Sequence, residues 1–351
     1  MRLVLWQPFL SLHQEGFYHA LAKADWVDSL ILRVESELPE TRRASGWRDV
    51  NTDGLRVENI SHETVPENDP DTVHLFTGFE THAGIWSAFR RLTSPHACRV
   101  FAYTEAPDLT GFGGKLRSLK YRLTAQKLSQ GLDGVLAIGG NGLSFYRTLL
   151  QDRCPVHAFG YYDGLDISDP DAVPSPGSSG VCRLLYTGQL IPRKGLDRLF
   201  GALAPLADQS WTLKLVGSGP EEAKLKRLAD TLKITGHLHW EPAKPHAELL
   251  DEYHKADSLI LPSRWDGWGM AVNEALRAGC PVRATAACGA ASLLPAEWIL
   301  QEPGPQWTES LMKLIEQVSH QPDRNLALKL ARKTSGDYGA GQLRDILAVS
   351  R

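Results

Sequence analysis

The chain has 351 residues, enough for two domains of ordinary size, and a 42% hydrophobic content typical of globular cores. A formal charge of -3 argues against an overall basic nucleic-acid binder and leaves only local basic patches to consider, so no nucleic-acid partner is expected. Five widely spaced cysteines (Cys98, Cys154, Cys182, Cys280, Cys288) with no Cys-x-x-Cys pair suggest neither a zinc site nor a disulfide framework and favour a reduced, cytoplasmic setting.

The opening MRLVLWQPFL is short and broken by Gln7 and Pro8, so it reads as a first buried strand rather than a signal peptide. No apolar run approaches the ~20 residues that a membrane span needs. Further strands are expected at Ser29–Val34, Thr72–Thr77, Arg99–Tyr103, Gly134–Ile138 and Pro155–Phe159. Helical patterns fall around Gln14–Ala22, Gly84–Leu92, Lys115–Gln130 and Leu143–Leu150. This alternation implies parallel strands with crossover helices, hence a doubly wound α/β sheet. The segment Asp166 to Gly180, DISDPDAVPSPGSSG, is rich in proline and glycine and reads as a linker.

The pattern then restarts. Strands are expected at Cys182–Thr187, Thr212–Val216, His237–Trp240, Ser258–Leu261 and Pro281–Ala284, with helices around Leu196–Leu206, Glu221–Leu232, Ala247–Lys255 and Ala271–Ala278. The division is therefore 1–165, linker 166–180, a second α/β domain over 181–335 and a C-terminal helix over 336–351. Ligands of paired open α/β sheets sit in the cleft between them.

Four segments of the second half carry chemistry. YTGQLIPRKGLDRLF, Tyr186 to Phe200, ends a strand at Gly188 and opens a helix near Leu196, with Arg193 and Lys194 on the loop between; cations there suit a diphosphate. KLVGSGPEEAKLKRL, Lys214 to Leu228, puts Gly217 and Gly219 after a strand and Pro220 in the first helical turn. It is no dinucleotide fingerprint, because the turn is not the domain's first and Glu222 fills the third glycine position. HLHWEPAKPHAELLDEYHKADSLILPS, His237 to Ser263, offers Trp240 at a strand end, as a stacking platform or a core residue. PSRWDGWGMAVNEALRAGCPV, Pro262 to Val282, sets Asp266 and Glu274 either side of Gly267 and Gly269. Carboxylates accept hydrogen bonds from hydroxyls, glycines admit a close approach to backbone amides, and the helix start offers N–H groups to phosphate.

Taken in order, these segments resemble retaining glycosyltransferases of family 4, whose Glu-x7-Glu signature is matched here by Asp266-x7-Glu274. The resemblance implies the GT-B fold, two Rossmann-like doubly wound domains facing each other across a cleft. It implies a nucleotide-sugar donor held by Gly188, Gln189, Arg193, Lys194, Gly217, Trp240, the backbone of Gly267, Trp268, Gly269 and Met270, and Glu274 on the ribose hydroxyls. Lys194 is then the phosphate-binding lysine, and Asp266 contacts the transferred sugar. The family carries Arg directly after the glycine, where this chain has Gln189, and Arg193 is the candidate substitute.

In the first half, Ser11, His13 and Gln14 stand where the family has a glycine pair, and His13 is a candidate partner of the acceptor or the leaving phosphate. Glu105 ends a strand and is placed to orient an acceptor hydroxyl; His74 and His82 are weaker candidates. The stretch Gly111 to Leu128 holds Lys115, Arg117, Lys120, Arg122 and Lys127 with no acid, and Leu116, Leu119 and Leu123 near one face, a pattern that docks on anionic lipid.

The expected activity is retaining transfer of a hexose to a hydroxyl of a glycan or lipid-linked glycan, as in cell-surface polysaccharide synthesis, in the cytoplasm and in contact with the membrane. No metal or other cofactor is expected; the Asp-x-Asp at Asp169 to Asp171 lies in the linker, not a metal-binding setting. The alternatives are a nucleotide-sugar epimerase or phosphorylase on the same fold, or a non-catalytic nucleotide-sugar-binding protein.

Overall fold

In the computed structural model the described residues are 1–43, 47–61, 63–78, 82–92, 96–164, 166–169, 180–301, 304–316 and 323–349. The expected linker therefore lies largely outside them, as do Asp171, the side chain of Lys127 and the last two residues of the expected C-terminal helix. The chain forms two compact units, Met1–Gly164 with Thr334–Arg351, and Leu165–Lys333.

The first unit contains strands β1 (Arg2–Gln7), β2 (Ser29–Val34), β3 (Arg56–Asn59), β4 (Thr72–Phe76), β5 (Arg99–Glu105), β6 (Gly134–Ile138) and β7 (Val156–Phe159). Its helices are α1 (Glu15–Lys23), α2 (Glu40–Arg43), α3 (Ala83–Arg91), α4 (Gly111–Gln130) and α5 (Gly139–Leu150). All strands pair in parallel in the order β3-β2-β1-β4-β5-β6-β7. The chain reverses direction of winding between β1 and β4, where Leu3 pairs both Leu30 and Val73.

The centre of this sheet reads as continuous apolar runs because helices cover both faces. Leu3, Leu5, Trp6, Leu75, Phe76, Val100 and Phe101 are fully buried. Trp6 stacks on Phe76 at 5.1 Å, and its indole N–H donates to Nδ1 of His74 at 3.0 Å. The other ring nitrogen of His74 lies 2.7 Å from the Glu67 carbonyl oxygen, so both nitrogens are used in packing. Burial lowers the pKa of His74.

The second unit contains β8 (Cys182–Thr187), β9 (Trp211–Val216), β10 (Leu238–Glu241), β11 (Ser258–Leu261), β12 (Val282–Thr285) and β13 (Ile299–Leu300). Its helices are α6 (Leu196–Leu203), α7 (Glu222–Thr231), α8 (His246–Lys255), α9 (Ala271–Arg277), α10 (Pro305–Glu316) and α11 (Arg324–Ala331). The sheet is again parallel, in the order β10-β9-β8-β11-β12-β13, with its switch point between β8 and β11. Helix α12 (Gly336–Val349) belongs to the first unit, where it packs against α1.

Several boundaries differ from the expected ones. β3 was not anticipated because its RVEN is an exposed, polar edge, and β13 is only two residues long. α5 begins at Gly139, inside a GGNG that reads as a turn, because Gly139 at φ 75° lets β6 pass directly into a helix. α4 begins at Gly111, four residues before the expected start. α7 begins at Glu222, which leaves Pro220 just upstream of the helix rather than in its first turn.

Candidate active site

Two loops leave the second sheet at its switch point, one after β8 and one after β11, and they are tied to each other. In the first, Gly188 is followed by Gln189, which is exposed, and by a 3-10 turn at Pro192–Lys194. Gly195 closes that turn at φ 70° and sets the start of α6. A Cβ on Gly195 would run into the carbonyl oxygen of Pro262, at the root of the second loop. The Arg264 amide donates to the Arg193 carbonyl at 2.8 Å, and the Arg264 guanidinium forks onto Asp197 with two contacts of 2.6 Å. That guanidinium holds the Asp197 carboxyl below its ordinary pKa.

This stitching brings Lys194 onto Asp266. The ammonium lies 2.5 Å from one carboxylate oxygen of Asp266, and Arg193 lies 3.4 Å from the other. The side chains of Lys194 and Asp266 are only 14% and 11% exposed, so their attraction is screened less than at a surface. Arg193 also donates to the Trp265 carbonyl at 3.0 Å and lies over the Trp265 ring at 5.4 Å. Asp266 thus sits between two cations, Lys194 and Arg193.

The Asp266 backbone is held from the far side: its amide donates to the Ala287 carbonyl at 3.0 Å, and its carbonyl accepts from the Gly289 amide at 3.1 Å. Trp268 is 3% exposed and donates its indole N–H to the Asn273 side-chain oxygen at 3.0 Å. The ring of Trp268 is therefore core, and its carbonyl accepts from Ala290 and from the Cys288 thiol. Burial pushes that thiol up to about 12, so it stays a donor. Gly267 is buried, whereas Gly269 and Met270 are partly open.

Glu274 sits on α9, one turn past Met270, and is partly exposed. One of its carboxylate oxygens accepts from the Tyr253 hydroxyl at 2.6 Å. Tyr253, on α8, is 1% exposed and its hydroxyl lies 2.9 Å from that of Thr187 at the end of β8. Burial raises the Tyr253 pKa well above its ordinary value, so the phenol keeps its proton. Gly217 follows β9 and packs on Gly188, whose carbonyl oxygen occupies the place a Cβ would need. Trp240 is half-buried, edge-on to Phe200 at 6.2 Å and under the Lys226 ammonium at 5.3 Å. Beyond it, Lys214 and Lys244 both pair with Glu241 and Glu252 and pin the segment after β10.

The fold thus gathers Gly188, Gln189, Arg193, Lys194, Gly217, Asp266, Gly267, Gly269, Met270 and Glu274 along one sheet edge. His13 and Glu105 belong to the other unit. His13 stands edge-on to Trp47 at 4.3 Å after β1, and Glu105 ends β5 and accepts from the hydroxyl of the half-buried Tyr161. His74 is core, while His82 precedes α3 with Nδ1 3.1 Å from Glu35. Tyr253, Thr187, Arg264 and Asp197 were not picked out by sequence reasoning. All four lie within quoted motifs, but no spacing rule pairs residues across two loops, and a buried tyrosine on a helix looks like any core aromatic.

Among the described residues, no group of three His, Cys, Asp or Glu side chains comes together as a metal-ligand set.

The two parallel Rossmann-like sheets have the architecture of the GT-B glycosyltransferases. Residues 178–334, in the second half of the chain, match the family described as glycosyl transferases group 1. Among particular proteins, the chain is 32% identical over 112 residues to a glycogen synthase of Mycobacterium tuberculosis, a match covering 30% of this chain and only 26% of that enzyme. It is 27% identical over 285 residues to a GDP-mannose-dependent alpha-mannosyltransferase of Mycolicibacterium smegmatis, covering 73% of this chain and 72% of the relative. Its fold is similar to that of the lipopolysaccharide outer core galactosyltransferase WaaB, in its apo form, at a TM-score of 0.73, 13% identity and full coverage of both chains.

Proposed function

We propose that this protein is a retaining glycosyltransferase of family 4 that moves a hexose from a nucleotide-sugar to a hydroxyl of a glycan or lipid-linked glycan, without a metal ion. The observation that supports this most is the pairing of Lys194 with Asp266 on two loops that leave the switch point of one parallel sheet, with Glu274 on the helix that follows the second loop. Open α/β sheets bind ligands at such points. The similarity to nucleotide-sugar-using enzymes, found where these residues lie, supports the same reading.

In the proposed reaction Glu274 holds the ribose hydroxyls, and the donor diphosphate draws Lys194 away from Asp266. Lys194, Arg193 and the backbone N–H groups preceding α9 stabilise the departing diphosphate in place of a divalent ion. Asp266, relieved of its partner, accepts a hydroxyl of the hexose. The bond from the anomeric carbon to the phosphate oxygen breaks as the acceptor oxygen bonds on the same face. The acceptor proton passes to the leaving phosphate oxygen. His13 and Glu105 are proposed to orient the acceptor.

The test is transfer of labelled hexose from UDP-, GDP-, ADP- and dTDP-sugars by purified full-length protein, with and without Glu274→Ala. The intact protein should turn over one donor and the variant should lose transfer while keeping its fold; full activity in the variant would sink the assignment. A second reading, a nucleotide-sugar-binding protein without turnover, draws on the pairing of Lys194 with Asp266, which engages the cation proposed for the leaving diphosphate. Tight donor binding with no product would favour it, and conversion of donor without acceptor would point to an epimerase.

A further inference from the structure

The carboxyl edge of the first sheet holds a carboxylate–histidine pair that the proposed reaction leaves unused. Glu35 follows β2, and its amide donates to the Gln7 carbonyl at 3.1 Å. The next amide, of Ser36, donates to the Pro8 carbonyl at 2.9 Å, so the chain after β2 is fastened to the chain after β1. The Glu35 carboxylate reaches the start of α3. Its Oε1 accepts from the Gly84 amide at 2.7 Å, in the first turn of that helix, where unpaired N–H groups favour an anion. Glycine gives the room for this, because a Cβ at position 84 would stand 3.0 Å from Oε1 and 3.1 Å from Ile60. Oε2 is shielded from solvent, and its one ionic contact among the described residues is Nδ1 of His82 at 3.1 Å.

The carboxylate assigns the tautomer of His82. It favours the ring proton on Nδ1, which leaves a lone pair on Nε2. Ring geometry turns Nε2 away from Glu35, and no described residue partners it. The His82 side chain is 37% exposed, so the ring rests on the carboxylate and opens to solvent. His82 adds nothing to the helix start, since it occupies the cap position without a side-chain capping bond. Other candidates on this edge are engaged, His13 against Trp47 and Glu105 by the Tyr161 hydroxyl.

We propose that His82 binds the acceptor, its Nε2 accepting a hydrogen bond from a hexose hydroxyl other than the one that attacks, and that Glu35 is the positioning residue that fixes its ring. The proposal rests on the transfer reading given above. β1 and β4 flank the switch point of the first sheet, and His82 stands on the connection after β4, where open α/β sheets take ligands. The chemistry selects a hydroxyl. A fully ionised phosphate has no proton to give to Nε2, and the Glu35 charge behind the ring repels it. Because the bound hydroxyl is not the attacking one, the acceptor proton still passes to the leaving phosphate oxygen.

The experiment is steady-state transfer by the full-length protein, from the nucleotide-sugar it turns over, to the methyl glycosides of glucose, galactose and mannose and to their monodeoxy derivatives. His82→Ala, Glu35→Gln and the double variant run alongside. Calorimetric titration of nucleoside diphosphate follows the donor side, and circular dichroism checks the fold.

His82→Ala should raise the KM for the accepted hexoside about tenfold, the loss of one hydrogen bond, with donor KM and nucleoside diphosphate affinity unchanged. One monodeoxy hexoside should show that raised KM already with the intact protein, and no further rise with His82→Ala. Glu35→Gln should raise the hexoside KM by a smaller factor and add nothing in the His82→Ala background. A His82→Ala protein that handles every hexoside like the intact one would overturn the proposal and leave the transfer reading standing. Loss of nucleoside diphosphate binding in that variant, or donor turnover with no hexoside accepted, would overturn it as well. An intact protein that turns over no donor would remove the transfer reading, and this proposal with it.

Discussion

The Tyr253 hydroxyl lies 2.6 Å from a carboxylate oxygen of Glu274, joining two helices whose residues are 21 positions apart in the chain. The phenol has one proton, and the carboxylate is the stronger acceptor, so the Thr187 hydroxyl at 2.9 Å is left to donate to Tyr253. A directed chain from Thr187 through Tyr253 therefore fixes one oxygen of Glu274. On the role proposed for Glu274, Tyr253 acts through it and is a positioning residue.

Tyr253→Phe should raise the KM for the nucleotide-sugar about tenfold with kcat little changed, the loss expected of one hydrogen bond to a charged group. In a Glu274→Ala background the same change should add nothing, because the residue it orients is gone. Titration of nucleoside diphosphate into all four proteins checks this. An equal loss in both backgrounds would make Tyr253 a purely structural residue, whereas no effect of Glu274→Ala would instead remove Glu274 from the site.

Asp266→Asn should separate binding from turnover. Removing the carboxylate releases Lys194 and Arg193 to the phosphates, so nucleoside diphosphate without sugar should bind several-fold tighter. Hexose transfer should fall, because an amide accepts a sugar hydroxyl less strongly than a carboxylate. Calorimetric titration and a transfer assay read the two effects. Weaker binding of the free diphosphate would show that the pair does not compete with phosphate.

Gly195→Ala tests the join between the loops. Its φ of 70° is costly for a residue with a Cβ, and that atom would collide with the Pro262 carbonyl oxygen. A loss of about 2–4 kcal/mol is expected for the second unit, read as a lower urea midpoint with unchanged slope. An unchanged midpoint would mean that the turn relaxes without cost.

The stability of the first unit should decline as pH falls below about 6.5, the ordinary value for histidine. Burial lowers the pKa of His74, so below that pH the unfolded chain binds a proton that the folded chain does not. Stability contributed by neutral His74 is thus complete above the unfolded value and shrinks on acidification. His157, also lowered by burial, acts in the same sense, so His74→Gln should reduce the slope between pH 7 and 5 rather than abolish it. Urea unfolding across this range measures it, and an identical slope in the variant would assign the effect elsewhere.

Most of the sheet architecture was legible from residue order. Strands whose both faces are buried, such as β1, β4 and β11, appear as short apolar runs, and the helices between them show their periodicity. The elements that escaped are those without such a pattern, the exposed edge β3 and the two-residue β13, together with the glycine-led start of α5. Local composition points to a turn at Gly139; packing of α5 on β6 and β7 prevails.

From the sequence by itself came the alternation that specifies two parallel sheets, and the residue types, carboxylate, glycine and lysine, gathered in a few motifs. These depend on local periodicity and side-chain chemistry, which a linear chain carries in full. Only the tertiary structure decided which groups meet. Lys194 finds Asp266 because two loops leave adjacent strands, and Tyr253 finds Glu274 because α8 and α9 pack side by side. Likewise, the leucines of α4 are exposed because the opposite face of that helix is the one the core takes up. Such pairings arise from packing between distant segments, and no spacing within one segment encodes them.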